Sequence, residues 1–354
     1  MIACIIEKPV TERKLATIRK IDQVNPIEGA DAIEVCTIGG WKVVSQKGLY
    51  KEGDLAIYCE VDSFIPTTIA PFLTKSGHFP KQFNQIEGER LKTIRLRGQI
   101  SQGLLLPLSL ISNGESYGVP FILRDGEDIT EFLGIQKWEA PIPAQLAGSI
   151  KGSFPSFLQK TDQERIQNLK AELVNWVQAN ATWEVTEKLD GSSMTVYVRD
   201  GEVGVCSRNL ELKENINNTF WKTAIQSGLI DKLANFGQNI AIQGELIGPG
   251  IQNNIYGLSS HEFRVYDVFN VDTYEYLTPP LRRELCDKLD LLHVPVLAQR
   301  TLLIDNVEAL LESAEGQSEM AKKPLGREGL VFKCHEEQIS FKAISNVFLL
   351  KHGG

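Results

Sequence analysis

Between Ala16 and about Leu123, apolar and polar positions alternate over short runs bounded by turn residues. The pattern predicts strands at Ala32 to Ile38, Trp41 to Ser45 and Leu55 to Val61, separated by Gly39-Gly40 and Gly53-Asp54. Helical periodicity is scarce there, so the stretch reads as a small barrel of short strands. Pro141, Pro143, Gly148, Gly152 and Pro155 then interrupt any regular element. They place a linker over residues 134–160, between a first domain at 1–133 and a second at 161–354. Thr161-Asp162-Gln163-Glu164 has the form of a capping box, and Ile166, Leu169, Leu173, Trp176 and Val177 mark the apolar face of a helix ending near Asn180.

Beyond that helix, strands and helices alternate irregularly. Trp183, Val185 and Glu187 alternate as on a half-buried strand, and Met194, Val196 and Val198 alternate again, so Lys188 sits where a strand breaks at Gly191 and restarts. The restarted strand turns through Asp200-Gly201 to Val203–Cys206, and Ser207-Arg208-Asn209 follows. A helix is predicted from about Thr219 to Phe236, with Gly237 as its stop, and another from Thr278-Pro279 with Leu281, Leu285, Leu289 and Leu292 on one face. Two strands lie between them, Ile240 to Ile247 carrying Glu245 and Phe263 to Phe269 carrying Tyr266-Asp267. Asp305-Asn306-Val307-Glu308 caps a last helix, and the chain closes with strands Glu328 to Lys333 and Ile339 to Lys342. The economical picture is α+β, antiparallel sheets with helices on their outer faces.

Composition narrows the partners. At 354 residues, 42% hydrophobic and 23% charged, the chain is globular and long enough for about two domains. Its net charge of −8 and pI of about 5.4 exclude nucleic-acid binding through bulk charge and require a local basic strip. Residues 1–130 hold 15 Lys and Arg against 16 Asp and Glu, so the acidic excess lies in the remainder. Within the first domain, Lys75, Lys81, Arg90, Lys92, Arg95 and Arg97 face only Glu87 and Glu89, with Phe79 and Phe83 interleaved. Arg95 and Arg97, two apart on one strand, would form a row of cations, unless the stretch is simply a solvated charged face. The six cysteines, Cys4 among them, form no Cys-x-x-Cys pair, which argues against structural zinc or a disulfide framework and for a reducing compartment. No apolar run reaches the roughly 20 residues of a membrane span, and Met1 to Ile6 is too short for a signal peptide, so a cytoplasmic protein is expected.

The broken strand carries the chemistry. A lysine ammonium, ordinarily near pKa about 10.4, becomes a nucleophile when desolvation or neighbouring cations push it down. The plain alternative is a hairpin with an exposed lysine in its turn. Glu245 and Glu328 can equally be edge charges, Arg208 a surface cation and Tyr266 ordinary core. Taken together they supply a cation cluster, carboxylates and an apolar sandwich, the needs of a nucleotide and its phosphates.

Lys188-Leu189-Asp190-Gly191 matches the Lys-x-Asp-Gly motif of the covalent nucleotidyltransferases, the superfamily of polynucleotide ligases and capping enzymes. Ser207-Arg208-Asn209, Gln243-Gly244-Glu245-Leu246, Phe263-Arg264-Val265-Tyr266-Asp267, Glu328-Gly329-Leu330-Val331-Phe332-Lys333 and Ser340-Phe341-Lys342 follow in that superfamily's order. The chain ends twelve residues after the last motif, which leaves no room for the C-terminal barrel of DNA ligases and capping enzymes. Its N-terminal OB-like barrel, with Gly53-Asp54-Leu55-Ala56-Ile57-Tyr58 and Lys160-Thr161-Asp162, is most similar to the ATP-dependent RNA ligases of the Deinococcus type.

The resemblance implies that Lys188 attacks the ATP α-phosphate and holds AMP, which passes to an RNA 5′-phosphate and is displaced by a 3′-hydroxyl, the ends of a nicked duplex being the expected substrate. It puts Glu187 beside adenine, Glu245 on the ribose, Tyr266 and Val331 on the two faces of the base, and Arg208, Lys333 and Lys342 on phosphate. Gly191 completes the turn. Asp190, Glu245 and Glu328 become the candidates to organise Mg2+ or Mn2+ and Arg208 a contact to RNA, to which the basic strip of the first domain adds Lys92, Arg95 and Arg97. No membrane and no obligate protein partner are implied. Where many relatives have Lys-x-Lys in the last motif, Lys342 is followed by Ala343 and Ile344, so a second lysine contact is either missing or comes from elsewhere, with Lys351 as candidate. The alternatives are a GTP-using capping-type guanylyltransferase and a non-catalytic RNA-binding protein that has kept the fold.

Overall fold

Short strands with one apolar face need partners, and in the first part of the chain they find them in small antiparallel sheets. The computed structural model describes residues 13–112, 124–139 and 148–352. Met1 to Ile6 with Cys4, and Pro141 and Pro143, lie outside the described residues. The chain divides into two units, Met1–Glu139 with His352–Gly354, and Ala140–Lys351.

In the first unit, Ile33–Ile38 and Trp41–Gln46 form the predicted hairpin, and Gln23–Pro26 joins it. Trp41, Val43 and Ser45 point inward and Lys42 and Gln46 outward, the alternation read from the sequence. Ala16–Lys20, Leu55–Cys59 and Leu104–Leu106 make a second sheet, and Gln136–Lys137, Ser63–Pro66, Ile86–Arg90 and Lys81–Phe83 a third. No single closed ring of strands is seen among the described residues.

The expected row of cations is not formed. Arg95 lies on Ile94–Leu96, but Arg97 has φ 48° and belongs to the turn before Gln99–Ser101. Arg95 donates back to the Gly98 carbonyl at 2.7 Å. Lys81 pairs with Glu89 at 2.9 Å and Arg90 with Asp62 at 2.6 Å. Phe83 packs against Phe64 and Trp138, whereas Phe79 is 93% exposed, so the two phenylalanines do not share a face.

The second unit is built on two sheets. One has seven strands, in the order Ile150–Ser153, Leu210–Leu212, Glu202–Ser207, Ser192–Arg199, Ile240–Ile247, Glu262–Asn270 and Glu275–Tyr276. The other has five, Glu164–Arg165, Ser340–Ile344, Gly329–Cys334, Thr182–Lys188 and Val296–Leu302, antiparallel except where Glu164–Arg165 runs parallel to its neighbour. Each sheet buries its own apolar cluster, Met194, Val196, Ile242 and Val265 in the first, Trp183, Val185, Leu330 and Phe341 in the second.

Helices depart from expectation in four places. The capping box does not cap: Thr161 and Asp162 are engaged by Tyr266 and Arg208, and the helix runs only over Lys170–Gln178 from an N-cap at Leu169. The single helix expected to Phe236 is two, Thr219–Gln226 and Leu229–Phe236, parted at Gly228 with φ 68°. Gly237, at φ 74°, does end the second. On Pro279–Lys288 the buried positions are Pro279, Arg282, Leu285 and Cys286, while Leu281 and Leu292 are about half exposed. Asn306 caps Val307–Ala314 as expected, and a further helix, Asn346–His352, follows it. The described cysteines are all free and buried, and no described helix is long and apolar enough to cross a membrane.

Candidate active site

Lys188 stands where the chain leaves one sheet for the other. Thr182–Lys188 is bonded on both sides within the five-stranded sheet, with Lys188 opposite Gly329, and Ser192 opens a strand inside the seven-stranded sheet. The hairpin alternative is therefore excluded. Gly191 is required by close approach, since a Cβ there would meet the Leu246 carbonyl oxygen at 2.6 Å and Glu245 Cγ at 2.8 Å. Leu189 anchors the turn among Ile247, Tyr256 and Val294, and the Asp190 N–H donates to the Tyr256 hydroxyl at 2.7 Å. The loop bearing Tyr256 passes through Gln252, Asn253 and Asn254 at φ 42°, 57° and 47°, a left-handed run that costs energy and collects at functional sites.

The surroundings of Lys188 are acidic. Lys188 Nζ lies 2.7 Å from Glu328 Oε1. Burial pushes the ammonium's pKa down, but the Glu328, Glu245 and Asp190 carboxylates outweigh it and hold it above the ordinary lysine value. At rest the lysine is a cation, where the sequence pointed to a depressed pKa. Burial, then the nearby Glu328 charge, raises Asp190 to about 7. Burial raises Glu245 to about 8 despite Lys188. Glu328 Oε2 is buried without a hydrogen-bond partner. Among the described residues no three His, Cys, Asp or Glu side chains are grouped so as to hold a metal by themselves. Three carboxylates facing one ammonium, one with an unpartnered oxygen, nevertheless suit a hard divalent cation that shares its shell with phosphate oxygens or water.

The other sequence-predicted residues surround this turn. Glu187 is buried and accepts from the Ser318 hydroxyl at 2.5 Å and the Glu319 N–H at 2.8 Å, a partner segment that no motif announces. Burial raises its pKa against those two hydrogen bonds. The Tyr266 hydroxyl is 3.0 Å from both Thr161 Oγ1 and Ser193 Oγ. Val331 is buried opposite Thr186 and Lys342. Arg208 pairs with Asp162 at 2.7 Å and Lys160 donates to Asn209 at 3.0 Å, which joins two segments that the sequence singled out separately. Lys342 has Arg165 as its register partner, and Arg165 is buried, whereas Lys351 is exposed on the closing helix. Lys92, Arg95 and Arg97 are exposed in the first unit.

Sequence reasoning missed a buried ionic cluster beneath these groups. Lys333 pairs with Asp267 and donates to the Tyr266 carbonyl at 2.9 Å. Burial, with Arg282 acting in the same direction and Asp267 against it, lowers Lys333 to about 8. Arg282 and Arg283 both reach Glu184, and Arg282 Nε donates to His293 Nε2 at 3.0 Å. Only the twin arginines within an otherwise leucine-spaced helix signalled it.

Comparison with known proteins gives the family. The family profile described as RNA ligase matches residues 181–348, and one described as an OB-fold domain matches residues 15–108. No curated protein sequence matches significantly. Among solved structures, an apo form of a substituted Naegleria gruberi RNA ligase superimposes with TM-score 0.87 at 43% identity, over 96% of this chain and 98% of that one. A substituted form of the same ligase with ATP and Mn gives TM-score 0.87 at 43% identity over 97% and 100%. The form with PPi gives 0.86 at 43% over 96% and 99%.

Proposed function

We propose the course of the reaction from the fact that this chain belongs to the RNA ligase family: it is an ATP-dependent RNA ligase whose nucleophile is Lys188. The Lys188 amine attacks the α-phosphorus of ATP, the bond to the β-phosphate oxygen breaks, and pyrophosphate leaves while AMP is held as a phosphoramidate. An RNA 5′-phosphate oxygen then takes the AMP from the lysine, and a 3′-hydroxyl attacks that activated phosphate and releases AMP. The ends of a nick in an RNA-containing duplex are the substrate proposed.

The observation that carries this reading is the Lys188–Glu328 contact of 2.7 Å at the crossing between the sheets. A resting ammonium must lose a proton before it attacks, and Glu328 is within hydrogen-bond reach to take it. Asp190 and Glu245, raised to about 7 and about 8, are poised to share protons near neutrality. A divalent cation, Mg2+ or Mn2+, held by Asp190, Glu245 and Glu328 directly or through water, supplies neutralisation of phosphate charge. Tyr266 and Val331 are proposed to face the base, Glu187 its edge and Glu245 the ribose. Arg208, Lys333 and Lys342 are proposed to meet phosphate, with the neighbouring Arg165 as the second cation of the last motif. The first unit, with Lys92, Arg95 and Arg97, is proposed to bind the RNA.

Incubation with α-labelled ATP followed by denaturing electrophoresis tests the assignment. Lys188→Ala should take up no label yet still seal a pre-adenylated strand, because the later steps need only the leaving group. Label retained by that variant ends the assignment, and label transferred from GTP in preference to ATP turns it into a capping-type activity.

A further inference from the structure

The charges behind Lys333 are more than packing needs. Arg282 and Glu184 have no exposed surface, and Asp267 and Lys333 keep 6% each. Buried ion pairs add little stability, since desolvating the charges costs about what their attraction returns, and apolar replacements of similar volume are often as stable. Arg282 sits in the first turn of Pro279–Lys288. From there Nη2 meets Glu184, Nε meets His293, and Nη1 lies 3.6 Å from Asp267 Oδ1. That same Asp267 oxygen is the partner of Lys333. A carboxylate placed between two cations neutralises neither fully.

We propose that Arg282 is a positioning residue for nucleotide attachment: by sharing Asp267 with Lys333 it lets the carboxylate hold the lysine in place while the lysine's positive charge remains available to the α-phosphate. The inference rests on Lys333 as a phosphate-binding residue. The groups that face Lys333 are Asp267 on a strand of the other sheet, Arg282 and Arg283 on the helix, His293 after it, Glu184 across the strand pair and the Tyr266 ring, whose centroid is 5.9 Å from Nζ. Arg282, Arg283 and Lys333 outnumber Glu184 and Asp267, and His293, lowered to about 3, adds no charge at neutral pH. The complete cluster therefore keeps a surplus positive charge, and without Arg282 the Asp267 carboxylate falls to Lys333 alone.

Two variants of the full chain test this. Glu184→Met with Arg282→Met removes the Arg282–Glu184 contact from both sides and leaves Arg283, whose side chain is 22% exposed, to solvent, so folding is expected to survive, as the melting temperature will show. The pH dependence of Lys188 labelling at limiting α-labelled ATP should carry in the native protein, beside a Glu245 step that Glu245→Gln removes, a Lys333 limb near pH 8. In the double variant that limb should move up by about one pH unit or more. Arg282→Lys keeps the charge but has one nitrogen where arginine has three, so it should leave the limb near its native place and raise the apparent KM for ATP about fivefold or more with kcat little changed. A folded double variant with the native pH profile, or Arg282→Lys with the native KM, overturns the proposal. Lys333→Met separates the two readings: if it labels like the native protein, the assignment of Lys333 itself has failed. If it is defective while the Arg282 variants behave as native, only the inference about Arg282 falls.

Discussion

Asp190 is fixed by its backbone before its carboxylate does anything. Its N–H ends on a buried tyrosine hydroxyl, and a buried donor left without a partner costs about 1–3 kcal/mol. Tyr256→Phe should therefore lower the melting temperature and slow Lys188-AMP formation, while sealing of a pre-adenylated strand is less affected. Equal labelling rates for variant and native protein would remove the hydroxyl from the account. His293 makes a second prediction, this time in pH. Burial, helped by the Arg282 charge, lowers it to about 3 against an ordinary value of 6.5, so the unfolded chain binds its proton first as pH falls. Its contribution is complete above pH 6.5 and is lost progressively down to about pH 3. His293→Gln, which keeps an acceptor for Arg282, should flatten the fall of stability with acid in that window, measured by denaturant unfolding at stepped pH.

At the scale of elements, the break at Gly228 is a built feature. A left-handed φ of 68° suits glycine, and an alanine there would be strained by about 1 kcal/mol or more, so Gly228→Ala should destabilise the protein instead of healing the helix. A rise in melting temperature would contradict this. Strands are the legible elements, because alternation states which side chains face inward whatever the partner sheet. Trp41–Gln46 and Ile240–Ile247 fall where the pattern puts them. Helices are less legible because their signals are shared with other uses. Thr161 and Asp162 look like a cap, but a hydroxyl and a carboxylate serve Tyr266 and Arg208 equally well. On Pro279–Lys288 the leucine spacing is right for Leu285 and Leu289, wrong for Leu281 and Leu292, and silent on Arg282, since hydropathy counts an arginine as surface, and Arg282 is enclosed only because Glu184, Asp267 and His293 arrive from elsewhere in the chain. The motif residues are legible through resemblance, but Ser318 and Tyr256 are not, being an ordinary serine and tyrosine until the fold sets them against Glu187 and Asp190.

For the whole molecule the question is how an acidic protein holds a polyanion. Net charge −8 repels RNA at long range, so attraction must come from locally exposed cations. Lys81 and Arg90 are spent on Glu89 and Asp62, and the exposed Lys92, Arg95 and Arg97 form the first unit's candidate RNA-binding stretch. Replacing these three by alanine should spare Lys188-AMP formation, weaken RNA binding and flatten its salt dependence by about one unit of slope for each phosphate no longer neutralised. Unchanged binding at ordinary ionic strength would give that stretch some other role.

The crossing of the chain between two sheets at Lys188 has a mechanical side. The two sheets are like the covers of a book, and the Lys-Leu-Asp-Gly turn lies on its spine. Points on a spine travel least when covers open. Glu245 and Tyr266 ride on one cover, Lys333 and Lys342 on the other, and the Asp267–Lys333 pair is a clasp between them. A side chain on the spine thus keeps its place relative to both covers, as the covalent intermediate proposed above for Lys188 requires.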